Sequence, residues 1–485
     1  MKNILHINTI SSGGGAAAVV QRLDHIMRLR GASTHVLIGF GGSAQHADAL
    51  KARSYGGLLS WCLWRGLQDY HIQKSYRLPD HLFFRQADIL HLHNLHGGYF
   101  NLWSLPLLSA LKSTVWTLHD MQALTGHCAH SLECRRWQLD AGCGYCPSLS
   151  SYPPLRRDTT HQLWKDKRTI YKHSSLYLVT PSIWLQRLVE KSILKNQPVI
   201  CIPNGVDTAV YHPQDKDEAR RLLGLPQDAL LIGGCADGGL ANPWKGGQYA
   251  LETVLELKKQ FPSLHFFNIG VKTIPDSLQG ADWVHHIPYV HEPAQLARLY
   301  AALDLLLYPT LADNHPLVCI ESLCCGTPIV GFATGGVPEI VRDGLDGLLV
   351  PTREGTALIK AATTLLQDAD LRKKMGKEAA ASAAQRFNLT LFAQRYEKAY
   401  EEALRMPRSV EKSRLPLDKI PAIVKSPTFI AQEWAKYPSA SRQEAKMLRH
   451  HALQGSLCTA LATIAGWPLQ FFRSLRSLYR RIRMR

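Results

Sequence analysis

The sequence is short of acidic residues. It holds 39 aspartates and glutamates against 56 lysines and arginines, which gives a formal net charge of +17. This surplus predicts a partner that carries negative charge: a phosphate-bearing substrate, an anionic membrane surface or a nucleic acid. Because no RNA- or DNA-binding motif is present and few aromatic residues are interleaved with the C-terminal arginines, we expect no nucleic-acid partner.

The chain also lacks long hydrophobic runs. No stretch of about 20 strongly apolar residues predicts a membrane-spanning helix. Residues 1–8 run directly into a predicted strand and show none of the charged region, apolar core and cleavage site of a signal peptide. We therefore expect a cytoplasmic protein, in which the 11 cysteines are reduced, buried or metal-bound rather than paired in disulfides.

The GxGxxG fingerprint of dinucleotide-binding proteins is absent too. Instead, Gly13-Gly14-Gly15 separates a predicted strand at residues 3–8 from a helix. Backbone N–H groups converge at such a corner and the positive end of the helix dipole faces it, so the corner predicts a phosphate- or sugar-binding loop. The alternative is a tight turn without a ligand.

What the sequence does contain is a regular alternation of strands and helices. Predicted strands occupy residues 3–8, 34–40, 88–93, 114–118, 176–180 and 198–203, and then 229–235, 264–269, 283–287, 303–308, 329–332 and 348–350. The alternation predicts the α/β class with two parallel sheets. The expected organisation is a domain at 1–195, a second at 196–385, a helix at 386–404 that returns to the first domain, and a linker with a basic helical tail at 405–485.

Polar side chains cluster where the first set of strands ends. Strand 88–93 is followed by Asn94 and His96, and strand 114–118 is followed by His119-Asp120. In open α/β sheets, ligands bind at the carboxyl ends of the strands. Several histidines on one rim therefore predict a functional edge rather than incidental residues.

The second half places two acids and a lysine at the same kind of edge. Asp313 follows strand 303–308, and Glu321 lies on the short helix that comes next. Lys245 stands beside glycines at the start of another helix, where its charge can neutralise a pyrophosphate. Both acids could be merely solvated, but a strand exit followed by a short helix favours a ligand site.

The spacing acid-x7-acid resembles the signature of the GT-B glycosyltransferases of family 4, retaining enzymes that use nucleotide sugars. The resemblance covers roughly residues 1–404 and rests on Gly13 to Gly15, Thr117-Leu-His119-Asp120, Pro203-Asn-Gly-Val-Asp207, Lys245-Gly246 and the Asp313/Glu321 block. The stretch from Trp116 to Pro147 is similar to a narrower subgroup, the colanic-acid and exopolysaccharide glycosyltransferases. That subgroup tends to carry Asp where the family usually has Glu, so Asp313 is expected as a subgroup variant.

The resemblance implies a GT-B fold of two Rossmann-like domains facing a cleft, and a hexosyltransferase-type reaction that needs no catalytic metal. His119 would contact the donor sugar, Asp313 would face its hydroxyls, and Glu321 would accept hydrogen bonds from the ribose. Lys245 would hold the diphosphate. The other donor-binding residues would be Gly14, Gly15, His315, Pro316, Leu317 and Val318. The arginine that normally precedes the lysine in this family is missing from residues 237–244.

These motifs predict the transfer of a sugar from a nucleotide sugar to a lipid-linked or oligosaccharide acceptor. The product would be an exopolysaccharide or another surface polysaccharide, such as lipopolysaccharide or capsule. The alternative is a catalytically silent GT-B scaffold that binds a glycan or a partner protein. The missing arginine and Asp313 favour the scaffold, whereas Lys245, Glu321 and His119 oppose it.

A loop at residues 125–147 concentrates four cysteines, which are Cys128, Cys134, Cys143 and Cys146. The last two form a C-x2-C knuckle. A structural zinc bound by all four thiolates would stabilise this loop, which has little hydrophobic core of its own. The alternatives are four free thiols, or two disulfides in a different compartment. His127 and His130 are alternative ligands.

The C-terminal tail predicts contact with a membrane surface. Residues 451–472 carry no Asp, Glu, Lys or Arg, and six arginines follow between residues 473 and 485. An apolar stretch next to arginines is typical of an interfacial helix on an anionic leaflet. We therefore expect a peripheral protein on the inner face of the cytoplasmic membrane. The alternatives are a subunit-docking helix or a nucleic-acid tail.

Overall fold

The computed structural model describes residues 2–41, 47–50, 62–72, 74–271 and 274–408. The described strands are β1 Asn3–Ile10, β2 Ser33–Phe40, β3 Ala47–Ala49, β4 Ile89–Leu92, β5 Ser113–Thr117, β6 Tyr177–Thr180, β7 Val199–Cys201, β8 Leu230–Gly238, β9 Leu264–Val271, β10 Val284–Ile287, β11 Leu305–Tyr308, β12 Ile329–Phe332 and β13 Gly347–Val350. The described α-helices are α1 Gly15–Leu29, α2 Leu82–Gln86, α3 Leu105–Leu111, α4 Thr160–Lys172, α5 Ile183–Glu190, α6 Lys216–Leu222, α7 Gly247–Gln260, α8 Pro293–Ala302, α9 Leu317–Cys324, α10 Val337–Ile340, α11 Gly355–Gln367, α12 Ala369–Phe387 and α13 Leu389–Arg405.

The described strands form two parallel sheets. The first has the order β3-β2-β1-β4-β5-β6-β7 and the second has the order β10-β9-β8-β11-β12-β13. In both sheets the strand order reverses beside the first strand, between β1 and β4 and between β8 and β11. Such a switch point opens a crevice at the carboxyl ends of the strands. The predicted α/β class with two Rossmann-like domains is confirmed.

The central strands are buried on both faces, so apolar and polar residues do not alternate along them. β4, β5, β6, β11 and β12 are buried along their whole length. Strands that are covered by helices on both faces have continuous apolar runs instead of alternation. The helices between the strands supply those covers, so each sheet lies in the middle of its own layered domain.

The last of the described helices packs on the first sheet. α13 buries one face, at Phe392, Tyr396, Ala399 and Tyr400, and this spacing is that of an amphipathic helix. The Tyr396 hydroxyl lies 2.9 Å from Thr117 Oγ1 at the end of β5. The helix therefore joins the two domains after the second sheet is complete.

One expected domain boundary differs from the structure, and one predicted segment lies outside the described residues. β7 pairs with β6 through Leu178 and Val199, so the first sheet extends to residue 201, past the boundary expected at 195. The apolar stretch and the arginines of the tail lie outside the described residues. Within the described ranges, no helix has the length and apolar character that crossing a bilayer requires.

Candidate active site

The second switch point holds a lysine, an aspartate and a tyrosine in mutual contact. Lys245 ends a short 3-10 turn, Pro243–Lys245, directly before α7. Its Nζ forms an ion pair with the Asp313 carboxylate, which also accepts a hydrogen bond of 2.6 Å from the Tyr308 hydroxyl. The structure thus brings together the two residues that the sequence assigned to the diphosphate and to the donor sugar.

Gly246 allows the lysine turn to approach the strand exit so closely. Its φ is 65°, and a Cβ at this position would lie 1.9 Å from the Pro309 carbonyl oxygen. The backbone N–H of Leu311 in turn donates to the Trp244 carbonyl at 2.8 Å. The loop before Lys245 and the loop before Asp313 therefore form one unit, so neither residue is placed independently.

The pKa of the Asp313 carboxyl lies below its ordinary value. Burial alone would raise this pKa, but the charge of Lys245 and the hydrogen bonds from Lys245 and Tyr308 outweigh the burial. Asp313 is therefore ionised at neutral pH and acts as a hydrogen-bond acceptor.

The loop after Asp313 connects the two domains. The Asn314 amide nitrogen donates to the carbonyl oxygens of Leu118 and His119 at 3.3 Å each, and the Ser182 hydroxyl donates to Asn314 Oδ1 at 2.5 Å. A Cβ on Gly336 would lie 1.8 Å from the Asn314 carbonyl oxygen, so a side chain at residue 336 would displace the loop. This bridge was not predicted, because an asparagine beside an acid gives no signal of its long-range partners.

The start of α9 holds the other residues that the sequence assigned to the donor. His315 is buried, and its backbone carbonyl accepts a hydrogen bond of 2.9 Å from the Asn204 side chain. Pro316 is the N-cap of the helix, and Leu317 and Val318 are its first two residues. The unpaired N–H groups of this helix terminus make it a suitable anion site, as the sequence predicted. The helix ends at Cys324, and Gly326 follows its C-cap with φ 80°, a backbone conformation that glycine adopts readily.

Glu321 has partners that were not predicted. Its carboxylate lies 2.5 Å from Arg22 Nη2, on α1 of the first domain, and 3.5 Å from the Tyr300 hydroxyl. Arg22 also donates to the Gly205 carbonyl at 3.3 Å. The Glu321 side chain is 6% exposed and that of Arg22 is 16% exposed. Glu321 thus forms a buried ion pair across the two domains and has no hydrogen bond to Asp313 or Lys245.

His119 is the end of a chain of imidazoles. His119 Nε2 lies 3.0 Å from His93 Nδ1, and His93 Nε2 lies 3.1 Å from His6 Nδ1. Burial lowers the pKa of His119 to about 4 and that of His6 to about 4, and it also lowers the pKa of His93. The three rings are therefore neutral at pH 7, and His119 can donate or accept hydrogen bonds without carrying charge.

The neighbouring histidines have separate partners. His96 Nε2 lies 2.8 Å from the Asp120 carboxylate. Burial alone would lower the pKa of His96, but the Asp120 charge outweighs it and raises this pKa. His91 bonds the Tyr400 hydroxyl through Nδ1 and the Thr117 hydroxyl through Nε2, both at 2.8 Å. Of the histidines predicted at these strand ends, His119 thus joins the imidazole chain and His96 pairs with Asp120, while His91, within β4, is bonded to α13.

The glycine loop lies at the carboxyl end of β1, on the first switch point. Gly13 and Gly14 have φ values of 82° and 90°, and a Cβ on either residue would meet open space. Gly14 is the N-cap of α1 and provides no side-chain cap. The loop leaves the first N–H groups of α1 without a side-chain partner, which is the arrangement that an anionic ligand requires.

An open cavity of about 500 Å³ lies between the two domains. Asp313 and Gly335 line it from the second domain, and His130 and Trp184 line it from the first. The His130 ring centroid lies 5.6 Å from that of Trp244, next to Lys245. His130 was considered only as an alternative zinc ligand, and its position beside the cleft had no signal in the sequence.

The four-cysteine loop is largely exposed between residues 132 and 148, and among the described residues no three of its sulfurs lie within 4.8 Å of one another. Within the described ranges, three or more potential ligand atoms lie mutually within 4.8 Å only at His6, His91 and His93. Burial raises the pKa of the Cys128 thiol to about 11. His127 Nε2 lies 3.4 Å from Cys146 Sγ. The zinc site at Cys128, Cys134, Cys143 and Cys146 stays a prediction.

Comparison with known families agrees with this architecture. A model described as Glycosyltransferase Family 4 matches residues 13–210, and one described as Glycosyl transferases group 1 matches residues 235–368. The colanic acid biosynthesis glycosyl transferase WcaC of Escherichia coli K12 is 26% identical over 365 residues, which are 70% of this chain and 85% of that protein. D-inositol 3-phosphate glycosyltransferase of Stackebrandtia nassauensis is 33% identical over 236 residues, 46% of this chain and about half (52%) of that relative.

Solved structures share the fold. Anabaena HepE in complex with UDP-glucose aligns with a TM-score of 0.57 and 17% identity over 83% of this chain and 100% of that chain. WaaG, a glycosyltransferase involved in lipopolysaccharide biosynthesis, aligns with a TM-score of 0.56 and 15% identity over the same shares. The chain is therefore a hexosyltransferase-type glycosyltransferase of the GT-B fold, with a family 4 domain followed by a group 1 domain.

Proposed function

We propose that this glycosyltransferase moves a sugar, with retention of anomeric configuration, from a nucleotide sugar to a lipid-linked glycan during exopolysaccharide or surface-polysaccharide synthesis. The names of WcaC and WaaG support the product class, and the UDP-glucose complex of HepE supports the donor class. The observation that carries the proposal is the Lys245–Asp313 ion pair at the carboxyl ends of β8 and β11.

Binding of the donor would replace the ion pair between Lys245 and Asp313 with contacts from each residue to the donor. When a donor enters, its diphosphate competes for the Lys245 ammonium, which neutralises the leaving group. Asp313 then loses its cation and can accept hydrogen bonds from the sugar hydroxyls. Because Tyr308 still donates to Asp313, the carboxylate keeps its orientation during the exchange.

The transfer itself follows a front-face course. The acceptor hydroxyl oxygen bonds to the anomeric carbon while the bond from that carbon to the diphosphate oxygen breaks, and the hydroxyl proton passes to the departing phosphate. Lys245 stabilises the charge that develops on this phosphate. The neutral His119 contacts the sugar, and the Asn314 side chain, bonded to the His119 carbonyl, holds the loops of His119 and Asp313 together across the two domains.

A nucleotide-sugar screen tests the proposal. Each candidate donor is tested for a rise in melting temperature, and the donors that bind are incubated with lipid-linked acceptors. We expect at least one donor to stabilise the protein and to yield a glycoside whose anomeric proton coupling matches that of the donor. A product of inverted configuration would contradict retention, and binding without any product would favour the silent scaffold.

The proposal places the enzyme on the inner face of the cytoplasmic membrane, through residues 451–485. The six arginines and the uncharged stretch before them support this, although they lie outside the described residues. Fractionation of cells that express a chain truncated near residue 448 tests it. We expect the truncated chain to move to the soluble fraction, and an unchanged membrane share would contradict the role of the tail.

A further inference from the structure

The cavity between the domains continues along the surface of the first domain. It is about 500 Å³ and contains Asp313 at one end. A second cavity of about 440 Å³ begins where the first one stops, because Trp137 and Gln138 line both. Helix α5 forms a common wall: Trp184 and Leu188 face the first cavity, and Lys191 faces the second.

The opposite wall of this groove is fixed by hydrogen bonds. Trp137 is buried, and its indole N–H lies 3.0 Å from the Cys134 carbonyl and 3.1 Å from the Ser131 hydroxyl. The Trp164 indole donates to the Trp137 carbonyl at 3.2 Å. The four-cysteine loop therefore forms a preformed wall, and the groove keeps its shape without a ligand.

The far end of the groove is cationic. Arg168, Lys172, Lys191 and Lys195 line it, against one acid, Asp140. Among the described residues, no carboxylate forms an ion pair with any of the four cations. Their charges are thus available to an anion, and Arg168 approaches from α4 while Lys191 and Lys195 approach from the end of α5. Cations that converge from two elements suit a phosphate better than a single surface lysine does.

We propose that this groove binds the acceptor, with its reacting hydroxyl near Asp313 and a phosphate or diphosphate of the same molecule among the four cations. The inference rests on the proposed function and names the acceptor class: a saccharide that carries a phosphate. From Trp184 to Lys191 the helix rises about 10 Å, at 1.5 Å per residue. The groove therefore leaves room for a short oligosaccharide between the phosphate and the reacting hydroxyl.

Inorganic pyrophosphate is a suitable probe for the cationic end. The donor site is first saturated with the nucleoside diphosphate found in the donor screen, and pyrophosphate is then titrated by calorimetry at low ionic strength. We expect the Lys191→Gln/Lys195→Gln variant to bind pyrophosphate at least tenfold more weakly than the parent. The Lys373→Gln/Lys374→Gln variant loses the same charge from the exposed face of α12, and we expect its affinity to equal that of the parent.

Equal pyrophosphate affinity in the two double variants would overturn the proposal, as would a parent that does not bind the probe. Melting temperatures show whether the variants fold. If the Lys191/Lys195 variant is unfolded, Arg168→Gln on the opposite wall replaces it, and we expect a weaker loss in the same direction.

Phosphatidylglycerol vesicles distinguish an acceptor phosphate from a lipid headgroup. We expect the Lys191/Lys195 variant to sediment with these vesicles as the parent does. Loss of vesicle binding with unchanged pyrophosphate affinity would make the groove a membrane surface and overturn the proposal. The donor-and-acceptor assay with the parent tests the proposed function separately: sugar transfer without a groove effect removes only the groove, whereas donor binding without any transfer removes the function.

Discussion

His93 Nδ1 lies 3.0 Å from His119 Nε2, and this contact commits one of the two ring nitrogens of His119 to the protein. Since burial keeps both rings neutral, the proton on each ring is placed by its hydrogen-bond partner. His93 therefore acts as a positioning residue for His119.

Replacing His93 tests this role. We expect His93→Gln to lower kcat/KM for transfer by about tenfold, because the loss of one buried hydrogen bond costs roughly 1–1.5 kcal/mol. We also expect the imidazole NMR spectrum of His119 to show a changed tautomer balance, because the contact with His93 no longer fixes which ring nitrogen carries the proton. His285→Gln is the control, since His285 Nε2 bonds His265 Nδ1 at 2.9 Å in the other domain. An unchanged kcat/KM and an unchanged His119 tautomer balance would contradict the positioning role.

The buried imidazoles predict that acid weakens the fold. Burial lowers the pKa of His6 and His119 to about 4 and that of His315 to about 3, whereas an unfolded chain titrates near 6.5. As the pH falls below 6.5, the unfolded chain binds protons that the folded chain excludes, so the free energy of unfolding decreases until the pH reaches the folded values. We expect urea midpoints to fall between pH 6.5 and 4, by an equivalent of several kcal/mol, since one pKa unit corresponds to about 1.4 kcal/mol for each histidine. Midpoints that stay constant or rise toward pH 4 would refute this.

The Arg22–Glu321 pair predicts strong coupling between the domains. Removal of one partner leaves the other charge buried, at a cost of roughly 3–5 kcal/mol. We expect Arg22→Ala to lower the urea midpoint sharply, and Arg22→Ala/Glu321→Gln to recover part of the loss. Lys2→Ala is the control, because Lys2 pairs with Glu401 at 3.3 Å on the surface and an exposed pair contributes about 0–1 kcal/mol. Similar losses of stability in Arg22→Ala and Lys2→Ala would show that the buried pair contributes no more to stability than the exposed pair.

The zinc prediction is tested by metal analysis. If the four-cysteine loop binds zinc, the purified protein contains about one equivalent, and Cys143→Ser loses it. Cys62→Ser is the control, since Cys62 is buried outside the loop. Protein without bound metal would remove the prediction and leave hydrogen bonds such as that from Arg136 to the Gly144 carbonyl, at 2.8 Å, to hold the loop.

The fold followed from local patterns, whereas the partners within the site did not. Alternating strands and helices specify a parallel sheet because each crossover returns the chain to the same edge. The residues at strand exits, such as Asp313 and His119, were therefore found. Arg22 and Glu321 are 299 positions apart and lie in different domains. No sequence spacing encodes that contact, because it depends on how the two finished domains pack.

The same reason explains the remaining differences. The Asn314 bridge to His119 joins loops of different domains, and the imidazole chain from His6 joins strands whose order in the sheet is not their order in the sequence. The strand predicted at 198–203 was found, but the expected boundary at 195 separated it from the first sheet, to which β7 belongs. Its sheet partner, β6, cannot be read from the strand's own residues, because an edge strand carries no local signal of the sheet it joins.

The most direct test of the central claim is donor turnover in Lys245→Ala beside Lys373→Ala. We expect Lys245→Ala to lower kcat/KM at least 100-fold, about 3 kcal/mol, because the half-buried cation that offsets the developing charge on the leaving diphosphate is lost. We expect Lys373→Ala, on the surface of α12, to have the activity of the parent. A Lys245→Ala variant that folds and turns over the donor as the parent does would contradict the role of Lys245 at the diphosphate.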